Sequence, residues 1–213
     1  MILPQRNDFN PLTRLLPILL FLAAAGCALR LGPETLSVVA EDDTTAQSVS
    51  LLVATTRARD ISTGSYSDVR APALNYEAFT ISIPPIHNVT QIEWPVSQPD
   101  LQTSFAVTNR TVLPEFTLDV GLLRSSRGTN VTGKRDVLIF VHGYNYNFAE
   151  SLFRLAQISV DGNLEELPIL FAWPSAASMT GYVADKDAVT YSRDDLVELL
   201  TIAAADPAVG NIT

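Results

Sequence analysis

Cysteine occurs once in the 213 residues and histidine twice. One thiol cannot close an intrachain disulfide. Two histidines far apart, His87 and His142, offer little on which to build a metal site, and the carboxylate pair Asp185 and Asp187 adds too few ligands to change that. Positive charge is also scarce: 14 Lys and Arg face 23 Asp and Glu, for a formal charge of −9. Nucleic acid demands a basic stripe, so it is excluded as a partner. The absence of G-x-G-x-x-G and of a Walker motif removes support for nucleotide binding. No metal and no cofactor are expected. A membrane-spanning helix needs ~20 apolar residues, and the N-terminal apolar stretch at 15–25 is too short for one.

What is present is a chain 47% hydrophobic and 17% charged, the balance of a globular protein with one domain of ordinary size. Residues 1–14 are polar and carry Arg6, Asp8 and Arg14. The apolar stretch at 15–25 then suits the hydrophobic core of a secretory signal. It runs into Leu22-Ala-Ala-Ala-Gly-Cys27. This resembles the lipobox of bacterial lipoproteins, which implies a signal peptide at 1–26 and lipidation of Cys27 as the mature N-terminus. Ala24 departs from the pattern, which favours leucine there. A buried structural cysteine is the alternative, since free Cys packs as a small hydrophobe. Ala28 rather than aspartate after the cysteine implies the outer membrane, periplasmic side, in a double-membraned bacterium. Residues 27–48, acidic around Glu41-Asp-Asp43, read as a flexible tether. The domain is expected over 49–213.

Its first part is β. Residues 51–54 and 79–83 read as strands, the second alternating apolar and polar; 89–94, 104–107 and 116–120 are shorter candidates. His87, after Pro84-Pro85, reads as surface polarity, with an approach to a site as the alternative. The four Asn-x-Ser/Thr sequons, at Asn88, Asn109, Asn130 and Asn211, read as chance products of loops rich in Asn and Thr.

The chain is organised around residues 134–150. Five consecutive apolar residues, Val137 to Val141, form a strand buried on both faces. His142-Gly143 breaks it, and Gly143 permits a sharp turn. Asn147 with Glu150 three residues later is a capping box for a helix over 148–160. Residues 167–172 form the next strand, ending in Trp173-Pro174-Ser175. Ser192 with Asp195 reads as the start of a second helix that stops at Asp206-Pro207. Residues 209–213 open another strand. Strand, turn and helix in alternation place residues 142–145 at the carboxyl end of a strand in an α/β sheet, where such sheets carry their chemistry.

Val141-His-Gly-Tyr-Asn145, Phe171-Ala-Trp-Pro-Ser175 and Gly181-Tyr-Val-Ala-Asp185 together resemble a family of bacterial α/β hydrolases of unknown function, within the esterase and lipase superfamily. Val53-Ala-Thr-Thr-Arg57 and Ser82-Ile-Pro-Pro-Ile-His87 extend the resemblance to most of the chain from Leu51. It implies the N-terminal part of an α/β-hydrolase sheet, with an antiparallel start and then parallel strand–helix alternation. It also implies acyl-ester hydrolysis of a small ester, with the Gly143–Tyr144 backbone as oxyanion donor. His142 braces the loop, and Asn145, Tyr144 and Trp173 line the pocket.

No Gly-x-Ser-x-Gly, the turn that carries a hydrolase nucleophile, occurs in the sequence. The expectation is a chain truncated before that elbow, without the serine, acid and histidine of a triad, and inactive alone. Ser175 and Ser178 lack the flanking glycines. Two readings stay open: a membrane-anchored serine hydrolase present as its N-terminal fragment, and a non-catalytic envelope lipoprotein, a decayed or repurposed hydrolase fragment.

Overall fold

The computed structural model describes residues 30–40, 47–96, 98–118, 133–178 and 181–213. The expected signal peptide at 1–26, Cys27 and the acidic run at 41–43 lie outside the described residues. Two units are distinguished, 1–30 and 31–213, and the second carries the fold.

A six-stranded mixed sheet forms its centre. The strands are β1 (Gln47–Asp60), β2 (Ser65–Ile83), β3 (Ala106–Leu113), β4 (Arg135–Val141), β5 (Leu167–Ala172) and β6 (Val209–Ile212), in the order β3-β2-β1-β5-β4-β6. Strands β1, β2 and β3 pair antiparallel, while β5 is parallel to both β1 and β4, and β6 is parallel to β4. The antiparallel start followed by parallel alternation is therefore present.

Helix α1 (Phe148–Asp161) joins β4 to β5, and α2 (Tyr182–Ala205) joins β5 to β6. Side chains alternate across a strand, and the core divides accordingly. Leu51, Val53, Leu138, Phe140, Leu170 and Ala172 face α1 with Phe148, Leu152 and Phe153. Leu52, Ala54, Val137, Ile139, Ile169 and Phe171 face α2 with Leu196 and Leu199. The two helices thus cover opposite faces. From β4 the chain moves to β5 on one side, then crosses back past β4 to β6, so the order of the strands reverses there.

Several elements differ from their reading in the sequence. The stretch 89–94 is loop, held at Glu93 by the bond from the Phe105 amide to its carbonyl. Residues 116–118 are not strand, and 119–120 lie outside the described residues. Helix α2 begins ten residues before Ser192, at Tyr182, after a Gly181 N-cap that makes no side-chain bond. Ser192 is buried inside the helix, where its hydroxyl meets Thr56 Oγ1 of β1 at 3.1 Å, so it caps nothing. Part of the stretch read as tether also packs on the domain. Leu36, in a short 3-10 turn (Pro33–Leu36), is 2% exposed, and the Val39 amide donates to the Val107 carbonyl.

Candidate active site

The carboxyl ends of β4 and β5 lie side by side, and the connections leaving them run to opposite faces of the sheet. A crevice opens at such a reversal point. Residues 142–147 and 173–178 meet at this point, joined by His142, Trp173, Tyr144 and Ser178.

Asn147 fixes the first loop at its far end. Its Oδ1 accepts from the Glu150 amide at 2.9 Å, Glu150 Oε2 accepts from the Asn147 amide at 2.9 Å, and its Nδ2 donates to the Leu31 carbonyl at 3.0 Å. The capping box read in the sequence is in place. The left-handed residue of the loop is Asn145, at φ 65°, rather than Gly143. Asparagine tolerates that region better than most side chains. A Cβ at Gly143 would meet nothing within 4 Å, so the glycine marks open space above the backbone rather than a forced turn.

His142 sits beneath, 2% exposed. Its Nε2 lies 3.0 Å from the Trp173 carbonyl and its Nδ1 2.8 Å from the Gly143 carbonyl. In return the Trp173 indole N–H donates to the His142 carbonyl at 2.8 Å. The two rings stack at 4.9 Å and 12°. Burial first, and then the nearby Arg57 charge, push the imidazole down to about 4 against the support of its two carbonyls. The ring is therefore neutral at ordinary pH and can donate to one of those carbonyls at a time. Trp173, 4% exposed, belongs to the core beneath the crevice.

The second loop is organised by Asp185, from the first turn of α2. Its Oδ2 accepts from the Ser175 hydroxyl at 2.6 Å and its Oδ1 from the Ala176 amide at 2.7 Å. Ser175 Oγ in turn accepts from the Ala177 amide at 3.2 Å, beside a left-handed Ala177 at φ 50°. Ser175 is fully buried and Asp185 is 2% exposed, so this serine is a strut and not a nucleophile in waiting. Asp185, weighed in the sequence only as half of a carboxylate pair, is thus a buried anchor of this loop. Across the rim, the Tyr144 hydroxyl donates to the Ser178 carbonyl at 2.8 Å, and the Tyr144 and Tyr182 rings meet edge to face at 5.6 Å.

Two further groups escaped the sequence reading. Thr55, the last residue of β1 to pair with β5, donates to the Ala172 carbonyl at 2.6 Å, and Arg57, two residues further along β1, is buried and reaches the Tyr146 carbonyl. The run Val53-Ala-Thr-Thr-Arg57 carried the only signal: an arginine closing an apolar strand. His87 makes its bonds elsewhere, to Glu93 at 2.7 Å and to Asp161 of α1 at 2.9 Å. Of the expected site residues, then, His142 to Asn145 lie together in the loop after β4, while Trp173, expected to line a pocket, lies in the core. A separate cavity of about 310 Å³ lies beside the start of α1, lined by Leu31, Tyr66, Asn147 and Phe148. Among the described residues no group of three or more His, Cys, Asp or Glu could hold a metal ion.

The parallel half of the sheet, with paired loops at a reversal point, is a doubly wound α/β arrangement. Residues 126–213 match the family described as alpha/beta hydrolase of unknown function (DUF900), which takes in β4, α1, β5, α2 and β6. The antiparallel strands β1 to β3 lie outside that match. Comparison with curated proteins and with solved structures finds no match.

Proposed function

We propose that this chain carries the oxyanion-stabilising half of a membrane-anchored ester hydrolase, with the Gly143–Tyr144 backbone as donor. The observation that carries the reading is the reciprocal His142–Trp173 brace. It holds the loop after β4 to the loop after β5, and stiff backbone dipoles are what stabilise charge developing in a transition state. When a nucleophile adds to an ester carbonyl, the C=O electron pair moves onto oxygen, and an N–H already in place meets that charge without rearranging. Losing one such donor costs about 2.7–4 kcal/mol of barrier in acyl-transfer enzymes.

His142 serves as brace and not as base. A general base works best near neutral pH, whereas this ring is pushed down to about 4 and both its nitrogens face carbonyls. Tyr144 and Asn145 border the substrate, and Trp173 supports them from below. No Gly-x-Ser-x-Gly lies within these 213 residues, so this reading assigns them no nucleophile. Lipidation of Cys27 would hold the domain at the outer membrane, facing the periplasm.

Titration of the ¹⁵N-labelled chain with butylphosphonate, a tetrahedral anion, tests the site. The expected result is selective movement of the amides at 143–145. No movement there leaves the non-catalytic lipoprotein as the better reading. In parallel, p-nitrophenyl butyrate should show no serine-dependent turnover, and turnover abolished by a serine-reactive phosphonate would refute this account.

A further inference from the structure

Arg57 is among the largest fully buried side chains of the molecule. It lies on β1 two and four residues beyond Thr55 and Val53, so strand alternation turns it to the α1 face. The β1–β2 ladder is interrupted at this point: Thr55 pairs with Asn75, but Arg57 pairs with Arg70. The guanidinium is held by two carbonyls from different elements. Nη1 donates to the Ser67 carbonyl of β2 at 3.1 Å, and Nη2 donates to the Tyr146 carbonyl at 3.0 Å. Its Nε is buried without a hydrogen-bond partner among the described residues. Asp68, Asp185 and Glu150 favour the charge through space, from the hairpin, from α2 and from α1.

A buried cation is costly, and the antiparallel hairpin could be closed at this position by an apolar residue as in the rest of the strand. What the arginine adds is a reach across to the loop. We propose that Arg57 is the positioning residue of the loop 142–147: anchored on the Ser67 carbonyl, it holds the Tyr146 carbonyl and so fixes the direction of the Gly143–Tyr144 backbone. The oxyanion reading supplies what that loop is for; whether Arg57 holds it is a separate matter. The same cation also helps keep His142 neutral, next to burial.

The test uses the full chain with Arg57→Met and Arg57→Lys, followed by NMR order parameters and by titration of His142. In the wild type, residues 143–146 should show order parameters near ~0.85, falling below ~0.6 in Arg57→Met while β4 and β5 stay rigid. Lysine, which keeps the charge and can bond one carbonyl, should fall between. The His142 pKa should rise in Arg57→Met and stay close to its original value in Arg57→Lys. Unchanged order at 143–146 together with an unmoved His142 overturns the proposal. So does loss of order throughout the sheet in both variants, which would make Arg57 a residue of the fold and not of the loop. If the loop loosens as expected but wild-type amides ignore butylphosphonate, Arg57 keeps its role and the oxyanion reading fails alone.

Discussion

Replacing His87 by glutamine should destabilise the protein by an amount that depends on pH. Its Nδ1 lies 2.7 Å from Glu93 and its Nε2 2.9 Å from Asp161, with the Phe105 ring edge to face at 5.4 Å. The Thr90 amide, from a left-handed residue at φ 73°, donates to the second oxygen of Asp161, as does Gln157. The cluster pins the loop 84–94 to the end of α1. That end has no basic residue of its own, so the imidazolium also answers the negative pole of the helix. Burial opposes the charged ring, but the bonds to Glu93 and Asp161 outweigh it and raise its pKa. Both carboxylates are held below their ordinary range: burial opposes this, and the bonds from His87 and the neighbouring amides prevail. A hydrogen bond to a charged group contributes about 1.5–3 kcal/mol. Solvent screens part of each, which leaves about 2 kcal/mol for the pair.

The sign follows from the direction of each shift. A raised histidine contributes fully below its unfolded value of ~6.5 and loses that contribution as pH climbs through the folded value. The depressed carboxylates contribute above ~4 and lose it as pH falls through their folded values. The window of full effect is therefore about pH 4.5–6.5. For a chain this size, 1 kcal/mol moves Tm by about 2–4 °C, so the loss near pH 6 is about 4–8 °C. Circular-dichroism melts of wild type and His87→Gln from pH 5 to 9 measure it. Comparing the two proteins matters because His142, depressed by burial, adds its own acid destabilisation to both. The gap should be widest near pH 6 and narrow by pH 9. An equal gap at both would refute the charged clamp.

Asn147→Ala removes the capping box and the bond to the Leu31 carbonyl; it should cost about 1 kcal/mol, within ~0.5–2, in urea unfolding. A midpoint identical to wild type would contradict the cap. Cys27→Ser, expressed in a double-membraned bacterium fed an alkynyl palmitate, should abolish labelling of the chain. Labelling that survives would sink the lipoprotein assignment.

The parts legible in the sequence were those where one local signal had no competitor. Residues 137–141 and 167–172 are apolar runs too short for helices, and they became β4 and β5. Asn147 and Glu150 had no partners more attractive than each other's amides, and α1 starts there. Ser192 and Asp195 carried the same pattern, but Thr56 claimed the serine from across the sheet, and α2 had already run from Tyr182. Its first ten residues keep Tyr182, Val183 and Val189 exposed, which hid the helical period. Asp185 and Arg57 were illegible for a different reason. Nothing local tells a buried charge from a solvated one; their partners, Ser175 and the carbonyls of Ser67 and Tyr146, come from other elements.

The chain's two histidines show how burial decides what a residue can report. His142 is enclosed by backbone carbonyls and the Trp173 indole, so its ring stays neutral at any pH well above 4. Its brace should not respond to pH between there and alkaline conditions. His87 lies between two carboxylates and donates to both of them only while charged. Alkaline pH should therefore loosen residues 84–94 first and leave 142–147 in place. The molecule thus separates a pH-sensitive contact at the edge of α1 from a pH-indifferent one at the crevice. That separation suits a loop whose use is to keep backbone dipoles aimed in one direction.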